Sequence, residues 1–247
     1  MGANMKKIII VTTSWDDGHP LDVRLAQLLS SYGISGTFYV PLNYGSFPII
    51  PAEQIHTLKA IGMEIGSHTL THPVLTKLSR DQVLHELVAS KRILENISGE
   101  PVVSLAYPEG KFNSTIGPWV AAAGYKLART TVAFRTEVQF APFSMPVSFQ
   151  FFPHPRAVHI RHALKEGNLR GIVNWHQFWR MESDLLKLSE LMLEHVLEYG
   201  GILHMWGHSW EIEEFGLWGV LEAVLSHVAN QRGVLYLTNS QTLDAIG

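Results

Sequence analysis

Apolar positions along the chain follow two alternating rhythms. Short unbroken runs such as Ile8-Ile9-Ile10-Val11 read as buried strands. Runs with apolar positions three and four apart, such as Val23, Leu25, Ala26, Leu28 and Leu29, read as one face of a helix. The pattern predicts strands at 7–12, 36–40, 63–66, 102–106, 126–128, 201–206 and 234–236. Helices are expected at 22–32, 51–61, 80–97, 115–123, 185–199 and 217–231, with a last helical turn at 241–246. Ser79 stands where the N-cap of the 80–97 helix belongs. Residues 132 to about 160 break the rhythm with dense Phe and Pro, including Phe140, Pro142, Phe143, Pro146, Phe151, Phe152 and Pro155. They are expected to form a loop-rich excursion with one strand near 146–152. About seven β/α units without a linker favour one barrel-like α/β domain over residues 1–247. A doubly wound open sheet is the alternative, but no Gly-x-Gly-x-x-Gly follows the first strand.

Composition narrows the chemistry. Apolar residues make up 46% of the 247, enough to bury a full core. A formal net charge of −3 argues against a nucleic-acid binder with a broad basic surface. The absence of cysteine excludes disulfides and thiolate metal sites, so a transition-metal site must be built from carboxylates and from the thirteen histidines. The apolar run after Lys7 is too short for a signal-peptide core, and no stretch approaches a membrane span. Met1–Asn4 reads as an extension ahead of a start at Met5, and the expected location is cytoplasmic.

Ser14-Trp15-Asp16-Asp17-Gly18-His19 closes the first strand. Buried carboxylates must be paired, hydrogen-bonded or bound to metal. The C-terminal ends of strands are where barrels and open α/β folds carry their chemistry. As sequence alone, the segment is also compatible with an ordinary Asp-Gly turn. Gly66-Ser67-His68-Thr69-Leu70-Thr71-His72-Pro73 follows the third strand, and its two histidines four apart can converge on one ion at the same rim. One Asp with two His leaves positions open for water and substrate, as in catalytic metal sites. The second carboxylate is then free to take a proton from the attacking water.

Ser-Trp-Asp-Asp-Gly followed by Ser-His-Thr-x-Thr-His-Pro resembles the motif pair of the metal-dependent polysaccharide deacetylases, carbohydrate esterase family four. The second strand, within Gly33-Ile-Ser-Gly-Thr-Phe-Tyr-Val, and the segment Tyr107-Pro108-Glu109-Gly110 are similar to that family too. The resemblance implies a distorted (β/α)7 barrel, TIM-barrel-like. It implies Asp16 as general base and Asp17, His68 and His72 as ligands of a divalent metal. Zn2+ suits this donor set, and Co2+, Ni2+ and Fe2+ are compatible with it. It also implies a groove wall at Tyr107 and an oxyanion donor at the Glu109 N–H.

Two departures stand out. Ala106 occupies the place of an Arg that pairs with the base in better-known members, and the Asp-rich fourth motif is absent. Arg129, at the end of its own strand, is the candidate for the missing positive charge. In Gly201-Ile-Leu-His204-Met-Trp206-Gly207-His208-Ser209-Trp210-Glu211, His208 is expected to be the general acid by its place at the rim. His204 is the alternative acid, Glu211 the residue that orients or tunes His208, and Trp210 a substrate neighbour. His154, His159, His162, His176, His195 and His227 read as structural or surface residues. Trp175, Phe178 and Trp179 read as core, with a sugar platform as the alternative. The implied activity removes N-acetyl groups from an N-acetylated sugar or oligosaccharide and releases acetate. The alternatives are hydrolysis of another C–N bond, in a cyclic amide or ureide, and a non-catalytic glycan-binding relative.

Overall fold

The computed structural model describes residues 7–247; the expected extension Met1–Asn4 lies outside them. The chain alternates strand and helix: β1 (Ile9–Trp15), α1 (Asp22–Ser31), β2 (Gly36–Val40), α2 (Ala52–Ala60), β3 (Glu64–Ser67), α3 (Arg80–Ser98), β4 (Ser104–Ala106), α4 (Ile116–Ala122) and β5 (Leu127–Arg129). It continues through β6 (Phe149–Gln150), α5 (Arg156–Lys165), α6 (Leu169–Trp179), α7 (Leu185–Tyr199), β7 (Gly201–Gly207), α8 (Ser209–Glu214), α9 (Trp218–Val228), β8 (Leu235–Tyr236) and α10 (Asn239–Ile246). The strands pair in parallel in the order β5-β4-β3-β2-β1-β7-β6, and β8 pairs with the lower half of β1. The gap between β5 and β7 is spanned by one stretch. Met145 bridges Arg129 in parallel, and four residues later Phe149 pairs with Met205 of β7. That stretch closes a distorted (β/α)7 barrel from β1 to β7.

Local chemistry explains the boundaries. β1 runs to Trp15 rather than Thr12 because its polar residues are buried and satisfied. Thr12 donates to Asn239 at 2.9 Å and Thr13 to the Ser35 carbonyl at 3.2 Å. α3 begins at a capping box in which Ser79 and Gln82 each accept the other's backbone N–H, and it ends at Gly99 with φ 72°. Its inner face buries Val83, Leu87 and Leu94.

The excursion is shorter than expected. It ends at Pro155, after which α5 and α6 form, with Asn168 capping α6 through the Gly171 N–H at 2.9 Å. Trp175 and Trp179 are fully buried against α7 and the Phe134 ring, so they belong to the core and form no sugar platform. No described helix is long and apolar enough to cross a membrane.

Candidate active site

The first carboxylate pair is placed by β1 and by the turn that ends it. Asp16 continues the β1–β7 pairing through its N–H to the Gly207 carbonyl at 3.0 Å. Asp17 then turns into the left-handed region at φ 74°, followed by Gly18 at φ 57°. A Cβ on Gly18 would sit 2.9 Å from Val40 Cγ1, so this turn needs glycine. Thr69 (φ 70°), His72 (φ 57°) and Glu109 (φ 55°) also have positive φ. Positive φ is uncommon away from glycine and strained for a β-branched residue, and such strain gathers at functional sites.

Asp17, His68 and His72 each present a ligand atom, and these atoms lie within 4.8 Å of one another. His68 Nε2 is 3.7 Å and His72 Nε2 3.5 Å from Asp17 Oδ1. His68 Nδ1 donates to the Ala106 carbonyl at 2.9 Å, which leaves the Nε2 lone pair facing the cluster. Burial and the neighbouring His68 pull His72 down to about 4 against the pull of both aspartates, so its ring is neutral, as a metal ligand must be. Tyr44 stacks on His72 with 4.0 Å between ring centroids, and Trp210 Nε1 donates to Asp17 Oδ2 at 3.1 Å. Three N/O donors, Asp17 and His68 oriented by hydrogen bonds and His72 by the stacked Tyr44 ring, fit a divalent ion.

The loop carrying the two histidines hangs on a residue that the sequence does not single out. Glu86, buried on α3, accepts the N–H groups of Leu70 and Thr71 at 3.0 and 2.8 Å and the Thr71 hydroxyl at 2.8 Å. Thr69 Oγ1 in turn accepts the His72 N–H at 3.0 Å. Glu86→Ala is expected to weaken divalent-metal affinity by about 10–100-fold, the usual effect of losing an outer-shell partner. Calorimetric metal titration of the purified variant checks it; unchanged affinity would place the loop's support elsewhere.

Asp16 lies beside this cluster, with Oδ2 3.8 Å from His68 Nε2. Arg129 Nη2 donates to Asp16 Oδ1 from a fully buried position. The guanidinium stands 4.9 Å from the Trp206 ring centroid and 5.3 Å from that of Tyr39, while its Nε and Nη1 have no hydrogen-bond partner among the described residues. Two π faces and one carboxylate therefore carry the buried charge. Burial raises the Asp16 carboxyl, but the charge and hydrogen bond of Arg129, with the charge of His208, outweigh it and hold it below its ordinary value.

The two candidate acids differ in what holds them. His204 Nδ1 donates to the Pro146 carbonyl at 3.1 Å, and its Nε2 accepts from Ser14 Oγ at 2.9 Å. Both nitrogens are occupied, and burial with the Arg129 charge pushes the ring down to about 3, so it stays neutral. His208 Nδ1 donates to Glu211 Oε2 at 2.6 Å, which leaves Nε2 3.7 Å from Asp17 Oδ2. Burial disfavours its charge, but the Glu211 hydrogen bond and the charges of Asp17, Glu211 and Asp16 push it up to about 9. It therefore carries a proton at neutral pH.

A cavity of about 520 Å3 joins these groups. Its wall includes Asp16, Asp17, His68, His72, Glu109, His208 and Trp210. Arg129 and Glu211 stand behind that wall. Tyr107 is a correction to the expected set. Its hydroxyl donates to the Phe143 carbonyl at 3.0 Å, its N–H is bonded to the Arg129 carbonyl, and its ring stacks on Phe112, so it braces the wall without facing the cavity. His154, His159 and His162 depart from expectation in the other direction: α5 brings His159 and His162 to the cavity wall, and the turn just before it brings His154. Their sequence gave no such signal because they sit in a stretch without neighbouring motif residues.

The polysaccharide deacetylase family model matches residues 3–128. The chain belongs to the polysaccharide deacetylase family. Members of that family depend on a metal. The match ends one residue before Arg129, so both His204 and His208 lie beyond it. Among curated deacetylases, the peptidoglycan N-acetylglucosamine deacetylase of Bacillus cereus is 22% identical over 167 residues, covering 66% of this chain and 59% of that protein. The peptidoglycan N-acetylmuramic acid deacetylase PdaC of Bacillus subtilis is 32% identical over 110 residues, covering 43% and 23%. The chain thus spans less than two thirds of the length of either relative. Of solved deacetylase structures, the Streptococcus pyogenes deacetylase PplD in complex with acetate is 26% identical with a TM-score of 0.52, covering 59% of this chain and 65% of that one. A Mycobacterium smegmatis structure assigned as a polysaccharide deacetylase covers 100% of this chain and 92% of its own with a TM-score of 0.69. At 17% identity it speaks for the shared barrel fold alone.

Proposed function

We propose that the chain is a metal-dependent hydrolase that removes the N-acetyl group from an N-acetylated sugar or oligosaccharide. The observation that carries this reading is the placement of Asp16 and His208 beside the Asp17, His68 and His72 cluster in one cavity. The names of the curated deacetylase relatives supply the substrate class. The donor set suits Zn2+, with Co2+, Ni2+ and Fe2+ compatible. A divalent cation held by Asp17, His68 and His72 would supply Lewis-acid polarisation of the acetamide carbonyl and a lowered pKa for water.

The chain's own residues divide the remaining work. Asp16 is kept ionised by Arg129 and accepts the proton of the attacking water. The left-handed turn at Glu109 brings backbone to the cavity wall, where an N–H aimed at the developing oxyanion stabilises it. His208 gives its Nε2 proton to the departing nitrogen, which takes the electron pair of the broken C–N bond. Water and acetamide thereby become acetate and a free amine.

Incubation of the metal-loaded protein with chitin oligosaccharides and with peptidoglycan fragments tests the reading. Equal amounts of acetate and new primary amine are expected. Absence of acetate from both, or ring opening of a cyclic amide without acetate, would overturn it.

A further inference from the structure

The hydrogen bonds around the acid do not stop at Glu211. Glu211 Oε2, which accepts the His208 Nδ1–H, also accepts from Gln150 Nε2 at 3.3 Å. Gln150 Oε1 then meets His154 Nε2 at 3.0 Å. The directions follow from chemistry. A carboxylate only accepts, so the Gln150 amide must present its NH2 to Glu211 and its carbonyl to His154. His154 must then carry its proton on Nε2. Its ring is boxed by Phe152 at 4.6 Å and by His159 and His162 at 5.5 Å each between centroids, so its orientation is fixed from three sides. Gln150 is fixed as well, because β6 pairs it with Trp206 in the strand that leads into His208.

We infer that Gln150 and His154 are positioning residues for the acid. They hold the Glu211 carboxylate where it keeps His208 Nε2–H aimed into the cavity. The inference rests on the deacetylase reading for its kinetic test but adds two residues that reading does not need. Glu211 alone could swing about its side-chain torsions; an ordered donor on the same oxygen removes that freedom, and orientation within fractions of an ångström is what an acid needs at the moment of bond cleavage.

The role has a signature that general loss of structure lacks. An acetamide needs its leaving nitrogen protonated, whereas 4-nitrophenyl acetate expels a phenolate that leaves without a proton. In Gln150→Leu the ratio of amide to ester kcat is expected to fall about tenfold, a part of the 10²–10⁴ that general acid–base catalysis contributes, with KM for the amide little changed. His154→Phe keeps a ring in place but loses the donor, and should lower the ratio in the same way. His154→Gln restores an N–H donor and should restore the ratio. Metal titration and thermal melting report whether each variant is folded. Amide and ester rates falling together, or an unchanged ratio in both Gln150→Leu and His154→Phe, would overturn the inference. If the wild-type protein hydrolyses neither substrate, the deacetylase reading itself fails. The inference is then read from imidazole 15N spectra, where the His208 Nδ1–H signal should shift in Gln150→Leu and in His154→Phe; no shift in either overturns it.

Discussion

Asp16→Asn is expected to lose about 10²–10⁴-fold in kcat, the contribution of a general base, while divalent metal still binds. Asp16 is not one of the three residues whose donor atoms converge. Its Oδ1 is committed to Arg129, and its Oδ2 faces the His68 side of the cluster. Asparagine keeps the shape and one acceptor oxygen but cannot take a proton from water. Acetate release and calorimetric metal titration on the same preparation separate the two effects. Turnover near the wild-type rate with metal bound would place the base elsewhere; loss of metal together with turnover would make Asp16 a ligand.

Arg129→Met is the second large effect, and it reaches both stability and rate. Removing one member of a buried ion pair leaves the other charge uncompensated, which costs about 3–5 kcal/mol. Asp16 and Arg129 are both buried, so solvent does not replace the lost partner. The double variant Arg129→Met/Asp16→Asn should recover part of that loss, because it leaves no orphan charge. The pH dependence has a definite sign. Asp16 is held below its ordinary value in the folded protein, so its contribution to stability is present above the ordinary carboxylate range and is lost as pH falls through the folded value. Without Arg129 the burial that raises Asp16 meets less opposition, and its carboxyl moves up. The acid limb of the rate profile, which reports ionisation of the base, should shift to higher pH. Thermal melts over pH and a rate profile measured on the metal-loaded variant check both. An unshifted acid limb and wild-type stability would remove Arg129 from the account.

How far the sequence reaches can be seen residue by residue. The Asp16-Asp17 pair and the His68/His72 spacing were legible because short strands place chemistry at fixed ends, and the chain order brings both ends to one rim. His208 could be preferred over His204 from its place past the strand end, and the structure gives His204 two partners away from the cavity. Arg129 could be named only as a candidate, since its path to Asp16 crosses the barrel between Tyr39 and Trp206. α5 was hidden by the Phe- and Pro-rich stretch before it and by a face that buries only His159 and Ala163. The Asn168 cap ahead of α6 was a readable start signal that the aromatic density obscured. Glu86 looks like any acidic residue on a helix until the fold turns it inward onto the His72 loop. Gln150 carries no sequence signal at all; its place is set by the two-residue strand that closes the barrel.

The most direct test of the account is a titration of metal-stripped protein with a divalent metal, reading acetate and free amine from an N-acetylglucosamine oligosaccharide at each step. Acetate release is expected to rise in proportion to added metal and level off at one ion per chain, and to be absent at every ratio in a His68→Ala/His72→Ala variant. Release from metal-stripped protein, or no release at any metal ratio, would contradict the assignment of Asp17, His68 and His72 as the centre of the reaction.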